Sequence, residues 1–358
     1  MIQMIGCIIE LANIELENFG LSKCMSSPDA VLVHGGGVHF FKKLNCGKGY
    51  KMNRIHRCLD MQKPADHSSV TRRDLLTIAA GFVGASSVLA GLPRVEGSQT
   101  KRVVKNGRIK QSICGGCLRG IGLDAEQTAT LLVEMGLAGR DLVRQNDWPT
   151  LKKHGLVATM VPGAGSIKKG LNDKSMHPKF LEDFRKNIKA AAEYKWPNVI
   201  CMAGDRKGIS DEEGMDNCHT ILKEAVKIAE DHGVTICMEL LNSKVNHPGY
   251  MCDKSAWGFE LCRRVNSPRF KMLYDIYHMQ IMEGDLIATI CKNIDFIGHF
   301  HTAGVPGRHE LDENQEIYYP AVMKAIVESG YQGYVAHEYT PTRDPMKSLV
   351  QAVKACDV

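Results

Sequence analysis

Residues 234–242 read VTICMELLN, a mostly apolar run that stops on a carboxylate, Glu239. The pattern recurs three times downstream. FKMLYDIYHMQ (270–280) places Asp275 at the end of its apolar part and His278 three residues later. FIGHFHTAG (296–304) carries His299 and His301, and GYVAHEYTP (333–341) ends its run on Glu338. Short apolar runs of this kind read as strands covered on both faces, the habit of parallel sheets. A carboxylate at the end of such a strand is costly to bury unless it is paired or bound to a cation.

Similar runs lie near 111–114, 140–143, 156–160, 198–203, 234–240, 271–276, 295–300 and 333–337. Amphipathic stretches alternate with them, most clearly over 125–136, 179–194, 211–232, 318–329 and 345–356. Within 220–230, Ile221, Leu222, Ala225, Val226, Ile228 and Ala229 recur at helical spacing with charges between them. Strand and helix alternating in this way over ~250 residues predict an α/β fold, the (β/α)8 TIM barrel. The rival, a doubly wound open sheet, announces itself by a G-x-G-x-x-G turn after its first strand, and SICGGC at 112–117 is not one.

Chemistry on a TIM barrel sits at the C-terminal ends of the strands. Four consecutive strands there present Glu239, Asp275, His301 and Glu338. Three oxygen donors and one imidazole suit Mg²⁺ or Mn²⁺ better than zinc, which prefers more His or Cys. His299, His154, His177 and His337 read as packed histidines, although His177 opens a helix and could lie at the rim.

The 358-residue chain is 44% hydrophobic and 24% charged, ordinary for a globular protein. Its formal charge of +5 and 6% aromatic content give no basis for a nucleic-acid partner. The 13 cysteines are scattered, and Cys114 and Cys117 form the one close pair. No second C-x-x-C follows, so packing in the first strand is the expected role rather than redox or metal chemistry.

The fold is expected within 101–358. Upstream, Arg72 and Arg73 in TRRDLLT precede an apolar run from Leu75 to Ala90, the order of a twin-arginine export signal. The run is roughly 16 residues, short of the ~20 of a membrane span. A small-residue cleavage site at Val88-Leu89-Ala90 would start the mature chain near Gly91, with retention of the signal as an anchor as the alternative. Residues 61–100 are thus signal and linker, and the exported chain is expected in the periplasm or cell envelope, touching a membrane through that signal alone. Residues 1–60 show no sustained period and are expected to be an upstream extension absent from the natural protein, or disordered, since Met61 opens an ordinary signal start.

YDIYHMQIMEGD (274–285), HFHTAGVPGRHELD (299–312) and HEYTPTRDP (337–345) together resemble the hydroxypyruvate isomerases, members of the xylose-isomerase-like TIM barrels. DWPTLKKHGL (147–156) and NVICMAGDRKG (198–208) fit the same pattern, so the resemblance covers about 110–358. It implies that Glu239 and Glu338 are metal ligands and also the acid–base pair, and that Asp275 is a ligand. It implies that His278 faces the substrate and that Arg308 holds a substrate oxygen or carboxylate. Glu310, in the loop of Arg308, is counted with the substrate-binding residues as the group that orients it.

The implied reaction converts hydroxypyruvate to tartronate semialdehyde through an enediolate, with the metal as Lewis acid. His301 departs from the pattern, because bacterial hydroxypyruvate isomerases often carry Gln there and ketose 3-epimerases carry His. A ketose 3-epimerase therefore remains as an alternative, as does a non-catalytic sugar-binding barrel. An endonuclease on this fold would need a richer histidine set and a basic groove. A small-molecule substrate is implied. The family often forms dimers, but no interface signal stands out in this chain.

Overall fold

The computed structural model describes residues 102–358, so the predicted export signal and the segment before it lie outside the described residues. Strands and helices alternate along the described chain. They run β1 (Lys110–Cys114), α1 (Ala125–Met135), β2 (Gly139–Asp141), α2 (Trp148–Lys153), β3 (Val157–Ala158) and β4 (Val161–Ala164). Then come α3 (His177–Tyr194), β5 (Asn198–Cys201), α4 (Asp211–His232), β6 (Thr235–Glu239), α5 (Ser255–Val265) and β7 (Phe270–Asp275). The chain closes with α6 (Ile276–Met282), α7 (Leu286–Asn293), β8 (Ile297–Thr302), α8 (Tyr319–Glu328), β9 (Tyr334–His337) and α9 (Pro345–Cys356).

All strand pairings are parallel, and the sheet order is β3-β2-β1-β9-β8-β7-β6-β5-β4. The two ends of that order, β3 and β4, are separated along the chain by Thr159 and Met160 alone, so the backbone itself completes the ring. This is a TIM barrel whose third strand is broken in two. The sequence reading placed that strand at 156–160. Beyond the break, β4 is itself irregular: Pro162 has no N–H for the ladder, and the register with β5 shifts between Pro162 and Ala164. Gly163 tolerates the close approach there, since a Cβ would stand 2.2 Å from the carbonyl oxygen of Ile200. Thr159 still donates its N–H to Arg140 O at 3.0 Å, which keeps the strand docked on β2.

The helices start and stop where local chemistry dictates. Ser210 accepts from Glu213 N at the start of α4, acids fill its first turn, and Gly233 ends it in the left-handed region at φ 69°. Asp124 and Gln127 form a reciprocal capping box on α1. Asp275 is the last residue of β7 and also the N-cap of α6, its side chain accepting from His278 N.

The main core lies between the strands and the surrounding helices. A smaller apolar group, Met160, Cys237 and Leu273 with Ile200 against it, fills the lumen. Side chains alternate along strands, so Glu239 shares the face of Cys237, Asp275 that of Leu273 and His301 that of His299. The polar groups of the C-terminal rim therefore stand one layer above this apolar floor.

Candidate active site

Glu239, Asp275, His301 and Glu338 meet at the C-terminal rim, each offering a ligand atom within 4.8 Å of the others. Register brings them together: Glu239 pairs with Leu273, Asp275 with His301 and His301 with Ala336, two positions before Glu338. His301 Nδ1 lies 2.6 Å from Glu338 Oε2, 3.3 Å from Glu239 Oε1 and 3.9 Å from Asp275 Oδ2. The first three residues are buried and Glu338 is partly exposed, so the group opens on one side.

The electrostatics are those of three carboxylates crowded around cations. Burial pushes the Glu239 carboxyl up to about 7, against the pull of His301. Burial acts on Glu338 in the same sense, but the charges of His301 and Arg308 hold it below its ordinary value. Burial disfavours a charged His301, yet Glu338, Asp141 and Glu239 together raise its pKa well above that of a free imidazole. His301 Nδ1 has no partner in hydrogen-bond geometry despite its close approach to Glu338. A buried nitrogen facing three carboxylate oxygens without a directional bond is what a divalent cation would satisfy, and the donor set fits Mg²⁺ or Mn²⁺.

Arg308 closes the open side. Its Nη2 lies 3.0 Å from Asp275 Oδ2 and 2.6 Å from Glu338 Oε2, and its Nε donates to the backbone carbonyl of Glu338 at 3.1 Å. The guanidinium also stacks over Tyr277 at 5.2 Å. Its backbone sits in the left-handed region at φ 61°, held by Arg308 N→Gly304 O at 3.0 Å and Thr340 N→Arg308 O at 2.8 Å. A non-glycine residue in that region marks a loop shaped for its side chain rather than for its backbone.

His278 is fully buried, and its Nδ1 receives the backbone N–H of Asn242 at 3.1 Å. A backbone N–H can only donate, so Nδ1 is the acceptor and Nε2 carries the proton of the neutral ring. Burial, followed by the neighbouring Arg308 charge, keeps this ring neutral by lowering its pKa well below the ordinary value. Arg308 Nη1 approaches His278 Nε2 within hydrogen-bond distance, so the guanidinium and the imidazole are packed together at the edge of the site.

Glu310 does not join this group. Its carboxylate accepts from Thr342 N at 2.8 Å, Thr342 Oγ1 at 2.9 Å and Ser348 Oγ at 3.0 Å, tying the loop after β8 to α9 and the loop before it. That position holds the loop of Arg308.

The sequence reading missed Asn242 and Asp141. Asp141 ends β2, a strand of three residues whose middle one is Arg140, and nothing in that stretch signals a buried carboxylate. His299 lies in the lumen with Nε2 3.1 Å from Asp141 Oδ1, its ring edge-on to His301. His337 is held by Thr302 Oγ1 at 2.8 Å and Gln111 Oε1 at 2.9 Å, and His177 by Leu171 O at 2.8 Å. His154 pairs with Glu126 at 2.7 Å on the surface. Eight of the nine described cysteines are buried, and Cys117 Sγ donates to His337 O at 3.1 Å.

Comparison with known proteins bears on the same residues. The pattern described as xylose isomerase-like TIM barrel matches residues 148–356, which include all four rim residues. The chain belongs to the xylose isomerase-like TIM barrel family. Among curated members, it is 34% identical over 167 residues to the 2-oxo-tetronate isomerase of Cupriavidus necator, spanning 62% of that protein and 44% of this chain. It is 32% identical over 200 residues to the 2-oxo-tetronate isomerase of Pectobacterium atrosepticum, covering 74% of that protein and 53% of this chain. The hydroxypyruvate isomerase of Escherichia coli is 33% identical over 168 residues, 63% of its length and 45% of this chain.

Among solved xylose isomerase-like barrels, the AP endonuclease, family 2, of Brucella melitensis superposes with TM-score 0.62 at 25% identity, over 67% of this chain and 97% of that one. The D-psicose 3-epimerase of Clostridium cellulolyticum H10, crystallised with D-tagatose, gives TM-score 0.55 at 18% identity over 70% of this chain and 96% of its own, a likeness of fold.

Proposed function

We propose that this chain is a divalent-metal-dependent isomerase of small 2-oxo acids, moving a carbonyl between adjacent carbons of hydroxypyruvate or a one-carbon-longer homologue. The observation that carries the reading is the meeting of Glu239, Asp275, His301 and Glu338 beside Arg308. The names of the three curated relatives support an isomerase, and both of those names denote enzymes of short oxo acids. His301 and the epimerase fold neighbour support the second reading, a ketose 3-epimerase on the same site.

A divalent ion held by Glu239, Asp275, His301 and Glu338 would act as a Lewis acid on the substrate's carbonyl and hydroxyl oxygens. Arg308 would hold the substrate carboxylate or carbonyl oxygen, with His278 packed beside its guanidinium. One of the two glutamates takes a proton from the hydroxyl-bearing carbon, and a glutamic acid returns one to the former carbonyl carbon. The hydroxyl proton passes from one oxygen to the other, so the atoms balance with no redox partner.

The test is turnover by the whole chain with Mg²⁺ or Mn²⁺, and again with a chelator, on hydroxypyruvate, 2-oxo-tetronate and a panel of free ketoses. Metal-dependent conversion of an oxo acid supports the isomerase. Conversion of a ketose alone moves the chain to the epimerases, and binding without turnover of any of them makes it a sugar-binding barrel. We propose in addition that the chain is exported by the twin-arginine route. The support is the order of Arg72-Arg73, apolar run and polar linker. N-terminal sequencing of native periplasmic material that begins upstream of Arg72 would refute cleavage, and a wholly cytoplasmic protein would refute export.

A further inference from the structure

Beneath the rim, a buried carboxylate reaches across the lumen to the one histidine of the metal-competent set. Asp141 ends β2, which is separated from β8 by β1 and β9 in the sheet order, yet Asp141 Oδ2 lies 2.8 Å from His301 Nε2. We propose that Asp141 is a positioning residue that fixes the ring of His301 with Nδ1 turned toward Glu239, Asp275 and Glu338. This rests on the reading of those residues as a metal centre.

The inference follows from what each atom can do. An ionised carboxylate only accepts hydrogen bonds, so the bond to Asp141 places a proton on Nε2. Nδ1 is then the nitrogen left for an ion, and it is the one facing three carboxylates within 3.9 Å. A free imidazole exchanges its proton between two nitrogens and spins about its Cβ–Cγ bond. Held at Nε2, it presents one nitrogen in one direction. Carboxylates that receive the second N–H of a metal-bound histidine commonly strengthen metal binding by 10–100-fold, through orientation and basicity.

Asp141 is itself anchored, as a positioning group must be. The residue is 1% exposed. Oδ1 receives the hydroxyl of Thr159, which meets Ser112 Oγ at 2.9 Å, and His299 Nε2 stands 3.1 Å from the same oxygen. Cys114 Sγ lies 3.9 Å from Oδ2, a weak contact. Burying this carboxylate is costly, and no surface ion pair or helix cap accounts for it. Its partners are the hydroxyl that holds it, the thiol and the two lumen histidines. Thr159 lies at the break between β3 and β4, so the irregular strand supplies the anchor.

The test is Mn²⁺ affinity of the whole chain, measured by competition with a chromophoric chelator, with the bound metal counted by elemental analysis. Asp141→Asn keeps the shape but loses the charge, and its amide can donate to Nε2 and flip the tautomer. It is expected to bind Mn²⁺ about 10–100-fold more weakly while the metal-free protein keeps its melting temperature. Thr159→Val, which leaves the carboxylate and removes its anchor, is expected to weaken binding about fivefold and serves if Asp141→Asn does not fold. In a His301→Gln background, Asp141→Asn is expected to change nothing further, which a general loss of structure would not reproduce.

Wild-type chain that binds no divalent ion overturns the metal-centre reading and this inference with it. Wild type that binds Mn²⁺ while Asp141→Asn or Thr159→Val binds it equally well overturns the positioning role alone. Two ions per wild-type chain and one per Asp141→Asn chain would make Asp141 a ligand in its own right, and overturn positioning as well.

Discussion

Replacing Arg308 with methionine keeps most of the side-chain volume and removes a guanidinium 3.0 Å from Asp275 and 2.6 Å from Glu338. Without a metal ion, His301 and Arg308 are the cationic side chains that face the carboxyl groups of Glu239, Asp275 and Glu338. The substitution removes one of those two cations. At 4 Å and an effective dielectric constant near 20, one such pair is worth about 4 kcal/mol before desolvation. Breaking a buried pair typically costs 3–5 kcal/mol. The Arg308 side chain is 21% exposed, so about 3 kcal/mol is the reasonable figure. For a domain of this size that lowers the melting temperature of metal-free protein by about 6–12 °C. Scanning calorimetry after chelation reads it directly. Saturating Mn²⁺ should close at least half of the gap, because the ion takes over neutralisation of the same carboxylates. A metal-free variant that melts within about 2 °C of wild type would refute the charge argument. A gap that is identical with and without ion would refute the placing of the ion among these carboxylates.

Other outcomes follow from the same geometry. Glu239→Gln and Glu338→Gln should each lower turnover by about 10²–10⁴-fold in a steady-state assay while substrate still binds, whereas a non-catalytic barrel would lose nothing measurable. Adding metal at about 100 times its dissociation constant to chelated protein should stabilise it by about 2.7 kcal/mol, visible as an upward shift of several degrees in melting temperature. Burial lowers the His337 pKa to about 4, so the folded state refuses a proton that the unfolded chain takes up below about 6.5. Its share of stability is therefore whole above pH ~6.5 and shrinks as pH falls toward 4, by about 3 kcal/mol in all. Denaturant titrations across that window should show the loss, and His337→Gln should flatten it.

Much of the barrel was legible because its strands are short apolar runs ended by polar residues. The 211–232 reading of α4 came from the helical spacing of its apolar residues, and Ser210 and Gly233 cap the helix at those ends. Four helices escaped. α5 begins without a side-chain cap and carries Gly258. α6 starts directly on the last residue of β7, so its buried Tyr277 and Met279 read as a continuation of the strand. α2 and α7 are short, with six and eight residues. Of the rim set, Glu239, Asp275, His301 and Glu338 could be picked out because each follows an apolar run. Asp141 could not, because it falls inside the run read at 140–143 instead of ending it, and its partner lies 160 residues away. Glu310 was read as the group that orients Arg308, and its carboxylate ties that loop to Thr342 and Ser348. Adjacency to Arg308 in sequence says nothing about which way a loop side chain turns.

Glu239, Asp275 and His301 lie on β6, β7 and β8 and Glu338 directly follows β9, neighbours in the ring, and none lies on β2 to β5. A single ion on that sector would act as a rivet through four adjacent staves and leave the others untouched. Local opening of the barrel would then become uneven. Backbone amides of β6 to β9 should exchange with solvent deuterium markedly more slowly once metal is added, while those of β2 to β5 change little. The broken third strand, opposite the rivet, would be where the loaded barrel first comes apart.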